Sequence, residues 1–272
     1  MRKLRSLNVE EELEIIEKIK TKKRKDIISE YGISDRHYKS VLNKYGIKLK
    51  EKVQKYNFNE NYFEKIDTED KAYFLGFIVA DGCLHGSSNN LKIIQKETEI
   101  LYKFKNYIKF EGPIFTSKTR NISNIGVSSE KIISDLNNLG IRANKTMNVT
   151  FPNISNNLLH HFMRGVFDGD GCISIHKDSR DGSERGQVNI CSGSLNFIEK
   201  YVYNLTKFCG VKRNKIRCPK GTYYVIDWGG LSDVEKLYSY FYKDANVYLE
   251  RKKKTFDKVI LINGSKIKYR KI

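Results

Sequence analysis

Residues 10–20 read EEELEIIEKIK, with apolar side chains at Leu13, Ile15, Ile16 and Ile19 and acids in the first turn. The spacing predicts an amphipathic helix whose carboxylates sit at the positive end of its dipole. A second helix is predicted over 24–31, with Ile27, Ile28 and Tyr31 on one face. Gly32 then supplies a left-handed turn residue and Ser34 an N-cap for a third helix. In that helix Tyr38, Val41 and Leu42 point inward, while Arg36, His37, Lys39, Ser40, Asn43 and Lys44 face out. Helix, glycine turn and polar-faced helix fit a small all-α helix-turn-helix domain over residues 1–50, whose last helix enters a DNA major groove. Arg36, His37, Lys39 and Ser40 are its candidate DNA contacts; a plain three-helix bundle has the same apolar faces. Residues 51–66 are polar, basic and aperiodic, as expected of a linker along a phosphate backbone.

From residue 67 the pattern repeats. YFLGFIVADGC (73–83) and FMRGVFDGDGC (162–172) align without a gap, and Asp81 and Asp170 are 89 residues apart. After each segment come two alternating strands (84–96; 173–191), an amphipathic helix (97–109; 194–209), two more strands (113–128; 214–228) and a last helix (129–139; 231–243). The prediction is an α+β fold with two pseudo-symmetric αββαββα halves, residues 67–156 and 157–272. Ala72, Gly76 and Ala80 lie four apart on one helix face, as do Gly165 and Gly169. Small residues there let two helix backbones approach closely, with Gly76 and Gly165 at the interface. The carboxylates of Asp81 and Asp170 then meet at two negative dipole ends, where each disfavours the other. A divalent cation, Mg2+ or Mn2+, relieves this by accepting carboxylate and carbonyl oxygens, and it binds phosphate readily.

Charge changes the picture of the partner. Lys and Arg number 50 against 32 acids, a net +18, far beyond what solubility requires, so a polyanion is expected. No apolar run approaches a membrane span and the N-terminal segment lacks a signal-peptide core, so an intracellular protein of cytoplasm or nucleoid is expected. Five cysteines without CxxC spacing read as reduced, half-buried thiols. His85 and His176 lack the partners of a histidine-based metal nuclease.

FLGFIVADG and FMRGVFDGDG resemble the paired signatures of the LAGLIDADG endonuclease family over residues 67–272. The resemblance implies a single-chain, monomeric homing endonuclease whose two halves form a DNA-binding saddle. Asp81 and Asp170 would bind metal, helped by the carbonyls of Ala80 and Gly169, and both strands would be hydrolysed across the minor groove to leave short 3′ overhangs. The family's earlier acid is present as Asp168 in the second copy and replaced by Val79 in the first. Gln95 matches the polar residue that orients the attacking water, with Ser192 in the second copy. Lys131 matches the lysine that supports transition-state charge, whereas SDVEK in the second copy has nothing basic before Lys236, which leaves unequal cutting of the strands open. The segment YLERKKKTF (248–256) resembles the basic helix on which such enzymes often end.

RGQVNIC (185–191) alternates Arg185, Gln187 and Asn189 with small and apolar residues, and Ser88, Asn90 and Lys92 match them in the first half. Lys118 with Arg120, and Lys215 with Arg217, alternate in the third strands. All ten are DNA-reading candidates, since such side chains pair with base edges in a major groove that accepts a two-stranded ribbon. The halves differ, so an asymmetric site is expected. Alternatives from other classes are a non-catalytic transcriptional regulator, and an RNA maturase whose partner is intron RNA.

Overall fold

The computed structural model describes residues 6–47, 56–85, 88–143, 145–179 and 181–269. It divides into two compact units, residues 1–55 and 56–272. The described part of the first unit folds as α1 (Val9–Lys18), α2 (Arg24–Tyr31) and α3 (Asp35–Lys44) around Ile15, Ile27, Tyr31, Ile33, Tyr38, Val41 and Leu42. Gly32 ends α2 at φ 62°, and Ser34 Oγ accepts from the His37 N–H at 3.1 Å. Asn8 and Glu11 add a reciprocal capping box to α1, with bonds of 2.8 and 3.1 Å. Leu13, expected to face inward, is exposed. Two residues from Ile15 is about 200° around the axis, so only one of the pair reaches the core.

Residues 51–55, the start of the expected linker, lie outside the described residues, as does the boundary at 50. From residue 56 onward the linker expectation is wrong. Tyr62 and Phe63 are buried, Tyr56, Phe58 and Ile66 pack against the second unit's core, and Tyr62 donates to Asp70 at 2.6 Å. The polar residues between these aromatics hid the apolar area that draws the segment in.

The first half of the second unit runs α4 (Glu69–Asp81), β1 (Gly82–His85), β2 (Asn90–Gln95), α5 (Thr98–Tyr107), β3 (Phe115–Ser117), β4 (Ile122–Ser128) and α6 (Glu130–Asn138). The second runs α7 (Asn156–Asp170), β5 (Gly171–Lys177), β6 (Glu184–Ser192), α8 (Leu195–Asn204), β7 (Tyr224–Trp228) and α9 (Leu231–Tyr242), followed by α10 (Glu250–Tyr269). The first sheet is antiparallel in the order β1-β2-β4-β3, the second β5-β6-β7. Alternate residues such as Leu91, Ile93, Val188 and Ile190 are buried against the helices, so each sheet has one polar outward face. The expected third strand of the second half is reduced to one bridge, Arg217 with Val225. Pro219 opens a 3-10 turn just after it, and side chains tie the segment down instead: Asn214 donates to the Asp227 carbonyl at 2.6 Å and the Trp228 indole to the Lys212 carbonyl at 2.8 Å.

α4 and α7 pack backbone to backbone. A methyl group on Gly76 would sit 2.0 Å from the Phe162 carbonyl oxygen, and one on Gly165 would sit 2.0 Å from that of Tyr73. Each residue of the first pair is 89 positions from its counterpart in the second, which is the reciprocity of a local two-fold axis. At the N-terminal end of α4, fully buried Arg164 donates to Glu69 at 2.7 Å and to the carbonyls of Val247 and Phe241 at 3.0 and 2.9 Å. Glu69 also accepts from the Asn246 and Val247 backbones, so its carboxyl stays ionised despite the burial that opposes it. Among the described residues no helix is long and apolar enough to cross a membrane.

Candidate active site

Asp81 and Asp170 are the last residues of α4 and α7, and each chain passes straight into a strand. Gly82 and Gly171 are extended at φ −74° and −82°, so neither ends its helix in the left-handed conformation. Glycine is required for space: a methyl on Gly82 would meet the Ile78 side chain and carbonyl at 2.7 Å, and one on Gly171 would meet the Phe167 ring at 2.2 Å. The glycine seam carries the two carboxylates together. A methyl on Gly169 would lie 2.2 Å from Ala80 Cβ and 3.1 Å from Asp81 Oδ2.

Burial pushes the carboxyl of Asp81 above its ordinary range, opposed by the hydrogen bond from Gln95 Nε2 at 2.6 Å. Asp170 is pushed up to about 6, by burial first and by the negative charge of Asp81 second. Among the described residues no donor meets the Asp170 carboxylate. Two lysines oppose both shifts, Lys145 and Lys252. Lys252 is 3% exposed and donates to the Phe167 and Gly171 carbonyls at 2.7 and 2.5 Å. Lys145 donates to the carbonyl of Gly82. A cleft of about 500 Å³ opens beside Asp81, lined by Gln95, Lys96, Glu97, Gly169 and Arg251.

Two carboxylates crowded at helix ends, Asp81 half-buried and Asp170 more exposed, are hard oxygen donors suited to a small divalent cation. Among the described residues no three His, Cys, Asp or Glu side chains surround one point, and a cation held by two carboxylates would need water, carbonyls or phosphate to complete its shell. The Gly169 carbonyl, expected to assist, accepts from Lys252 at 3.3 Å and keeps a second lone pair. Asp168 belongs to the core: it is 1% exposed and accepts from Tyr73 at 2.8 Å, Tyr242 at 2.7 Å and the Leu249 N–H at 2.8 Å.

Lys131 is not at this site, which corrects the sequence reading. It pairs with Asp135 at 2.8 Å and Glu64 at 3.2 Å. In the β2–β4 register Gln95 faces Ser123, whereas Ser128, the residue leading into α6, faces Asn90 at the far end of the strand. Lys145 and Lys252 were missed. Lys145 opens a short 3-10 turn, Lys145–Met147, with no periodic signal. Lys252 had one: Leu249, Lys252, Phe256 and Val259 form a helical stripe on which the other three are buried and apolar.

The outward sheet faces carry Asn90 and Lys92 in the first half, and Arg185, Gln187 and Asn189 in the second. Ser88 precedes β2 and is exposed. Lys118 and Arg120 are exposed in the β3–β4 turn, not on a strand, because the hairpin closes at Ser117 and Ile122. Lys215 is exposed in the irregular segment, and Arg217 holds the bridge. Ser192 occupies the register position of Gln95 and accepts from the Ser194 N–H at 3.1 Å. In the first unit Arg36, Lys39 and Ser40 are exposed and His37 is half-buried. All five cysteines are free, and Cys83, Cys172 and Cys218 are more exposed than expected. His85 and His176 are exposed on the sheets, His85 Nε2 being 3.4 Å from Cys83 Sγ.

No family model matches the chain. Two proteins of Methanocaldococcus jannaschii are similar in sequence. Its glutamine--fructose-6-phosphate aminotransferase [isomerizing] is 28% identical over 190 residues, 65% of this chain and 16% of that protein. Its replication factor C small subunit is 26% identical over 160 residues, 56% of this chain and 8% of that protein. The chain thus matches only a small part of either, and since their names differ in activity, neither name transfers. Among solved structures, the I-LtrWI LAGLIDADG homing endonuclease bound to target DNA superposes with a TM-score of 0.53 at 13% identity, covering 77% of this chain and 92% of that one. The LAGLIDADG meganuclease I-AabMI bound to uncleaved DNA gives 0.52 at 18%, covering 71% and 91%. I-SmaMI bound to an uncleaved DNA target in the presence of calcium ions gives 0.51 at 13%, covering 74% and 93%.

Proposed function

We propose that this chain, which has the fold of the LAGLIDADG homing endonucleases, is a site-specific DNA endonuclease that uses Mg2+ or Mn2+ to cut both strands across the minor groove. The observation that carries the reading is the pairing of Asp81 and Asp170 at the tips of a glycine-seamed helix pair, both with raised pKa values. A protein that only bound DNA would gain nothing from two acids aimed at a polyanion. The charge of +18 and the polar sheet faces supply the binding surface.

Asp81 and Asp170 would hold the cation, which supplies an acidified water and neutralises charge on the phosphate when bound. Lys145 and Lys252 offset the paired negative charge and favour the ionised acids at neutral pH. Gln95 is held by Asp81 through Nε2, which leaves its Oε1 to accept from the attacking water. Attack of that oxygen on phosphorus breaks the bond to the 3′ oxygen, which takes a proton, and leaves a 3′-hydroxyl and a 5′-phosphate. Ser192 stands in the corresponding place in the second half with a shorter reach, so the two strands are cut at unequal rates. The differing sheet faces read one asymmetric site as a monomer, and the first unit extends the footprint as a helix-turn-helix.

The test is incubation of a randomised duplex library with Mg2+, comparing wild type with Asp81→Asn and Asp170→Asn. Wild type is expected to generate ends at one enriched sequence, and both variants to bind it without generating them. Retention of enriched DNA by wild type with no ends in any member would replace this reading with that of a regulator.

A further inference from the structure

The two outward sheet faces differ in one respect that charge count alone conceals. On the first sheet the outward strand positions, among them Cys83, His85, Asn90, Lys92, Asn124 and Ser128, include no acid among the described residues. On the second sheet one acid, Asp227, is the next-to-last residue of β7, between the buried Ile226 and Trp228, and points outward. An acid facing a polyanion is repelled unless it accepts from a base or orders a neighbouring donor.

The surroundings of Asp227 favour ordering. Its Cα partner across the ladder is Asn189, and its Oδ1 accepts from Gln187 Nε2 at 3.3 Å. Its Oδ2 pairs with the Arg217 guanidinium, while its backbone carbonyl accepts from Asn214 at 2.6 Å. Both carboxylate oxygens are thus engaged, by two long side chains that would otherwise sample many rotamers. Bound this way, Gln187 has its amide orientation set, with Oε1 and one N–H still free, and Arg217 keeps further N–H donors on its planar fork. These are the groups that pair with adenine N6/N7 and guanine O6/N7. The bridge at Arg217, which replaces a full third strand, brings its side chain to Asp227.

We infer that Asp227 is a specificity-determining positioning residue. It holds Gln187 and Arg217 in register so that the second half reads neighbouring purines, an adenine at Gln187 and a guanine at Arg217. The inference rests on the DNA-reading function proposed above. Ordering before binding removes rotamer entropy from the free state, so less is lost on binding, and a rigid carboxylate makes a wrong base at either position costlier than it would be with free side chains.

The experiment selects a preferred duplex from a randomised library in EDTA, then measures binding to every single-base variant of it for wild type, Asp227→Asn and Asp227→Glu. Asp227→Asn is nearly isosteric and leaves the backbone bond from Asn214 intact, and Gln187→Ala serves as a second variant that removes one of the ordered readers. Asp227→Asn is expected to lose discrimination at one or two adjacent positions in one half-site by roughly five- to a hundredfold, the range of a bidentate pair. Binding elsewhere is expected to stay within about twofold, with Asp227→Glu restoring part of the loss and Gln187→Ala relaxing one of the same positions. Unchanged discrimination in Asp227→Asn, or a uniform loss at all positions, overturns the inference and leaves the endonuclease reading standing. Failure of wild type to enrich any duplex overturns both.

Discussion

Lys145 and Lys252 donate to the carbonyls of Gly82 and Gly171, two glycines 89 residues apart that follow the paired acids. Lys145 follows α6 and Lys252 follows α9, the final helix of each αββαββα repeat, so the two are counterparts. They differ in setting, since Lys252 is almost fully buried and Lys145 is half-buried.

Lys252→Met should therefore be the more damaging of the two lysine substitutions. It leaves Asp168 without its neighbouring cation, leaves Asp81 and Asp170 with Lys145 alone, and strips donors from the end of α7. A loss of about 3 kcal/mol is expected, the scale of breaking a buried ionic network. Urea unfolding of both variants checks it, and equal stability of Lys252→Met and wild type would contradict the assignment.

The pair of acids makes a prediction about pH. Asp170 is raised to about 6 in the fold against an unfolded value near 3.8, so the folded state holds more protons between those values. Stability from this group is present below pH about 3.8 and is lost as pH rises through about 6. In EDTA, Asp170→Asn should melt above wild type at pH 8, and the gap should close by pH about 4. Added Mg2+ should raise the wild-type midpoint and leave that of the double Asp81→Asn, Asp170→Asn variant where it was.

The seam admits no side chain. Gly76→Val or Gly165→Val must push α4 and α7 apart, because even a methyl group meets a carbonyl oxygen at 2.0 Å. A destabilisation of about 3 kcal/mol or more is expected from such overpacking. Gly32→Ala tests a different cause, since nothing lies within 4 Å of a methyl there and only its φ of 62° resists. Its effect should be smaller, about 1 kcal/mol.

DNA affinity should fall steeply with salt, with a log–log slope of about 0.9 per phosphate contact. A protein comprising residues 56–272 should show a shallower slope and relaxed specificity with the cut position unchanged. Mapping ends on one target for both proteins decides this, and a shifted cut would assign the first unit a part in placing the scissile bond.

The paired helices, the order of elements and the meeting of Asp81 with Asp170 are legible in the sequence because a duplication writes them twice at one spacing. Gln95 was legible by its place at a strand end. Lys131 misled, since a helix start close in sequence to β4 lies at the wrong end of that strand. Lys252 was hidden in a run of three lysines of which only one faces inward. The segment 56–66 was misread because its aromatics follow neither a helical nor a strand period, and the missing strand of the second half because Pro219 ends it after one bridge. Apart from Pro219, which acts locally, the deciding interactions are tertiary, between residues far apart in the chain.

Since α4 and α7 meet at their glycine crossing through main chain rather than through adaptable side chains, the separation of the halves there behaves as a machined gauge. A hybrid joining this α4 half to a foreign α7 half would inherit the right spacing only if the donor helix carries a glycine at the crossing. One that does not should misplace one carboxylate relative to the other while leaving each sheet able to recognise its own stretch of duplex, producing a tight binder with a broken blade.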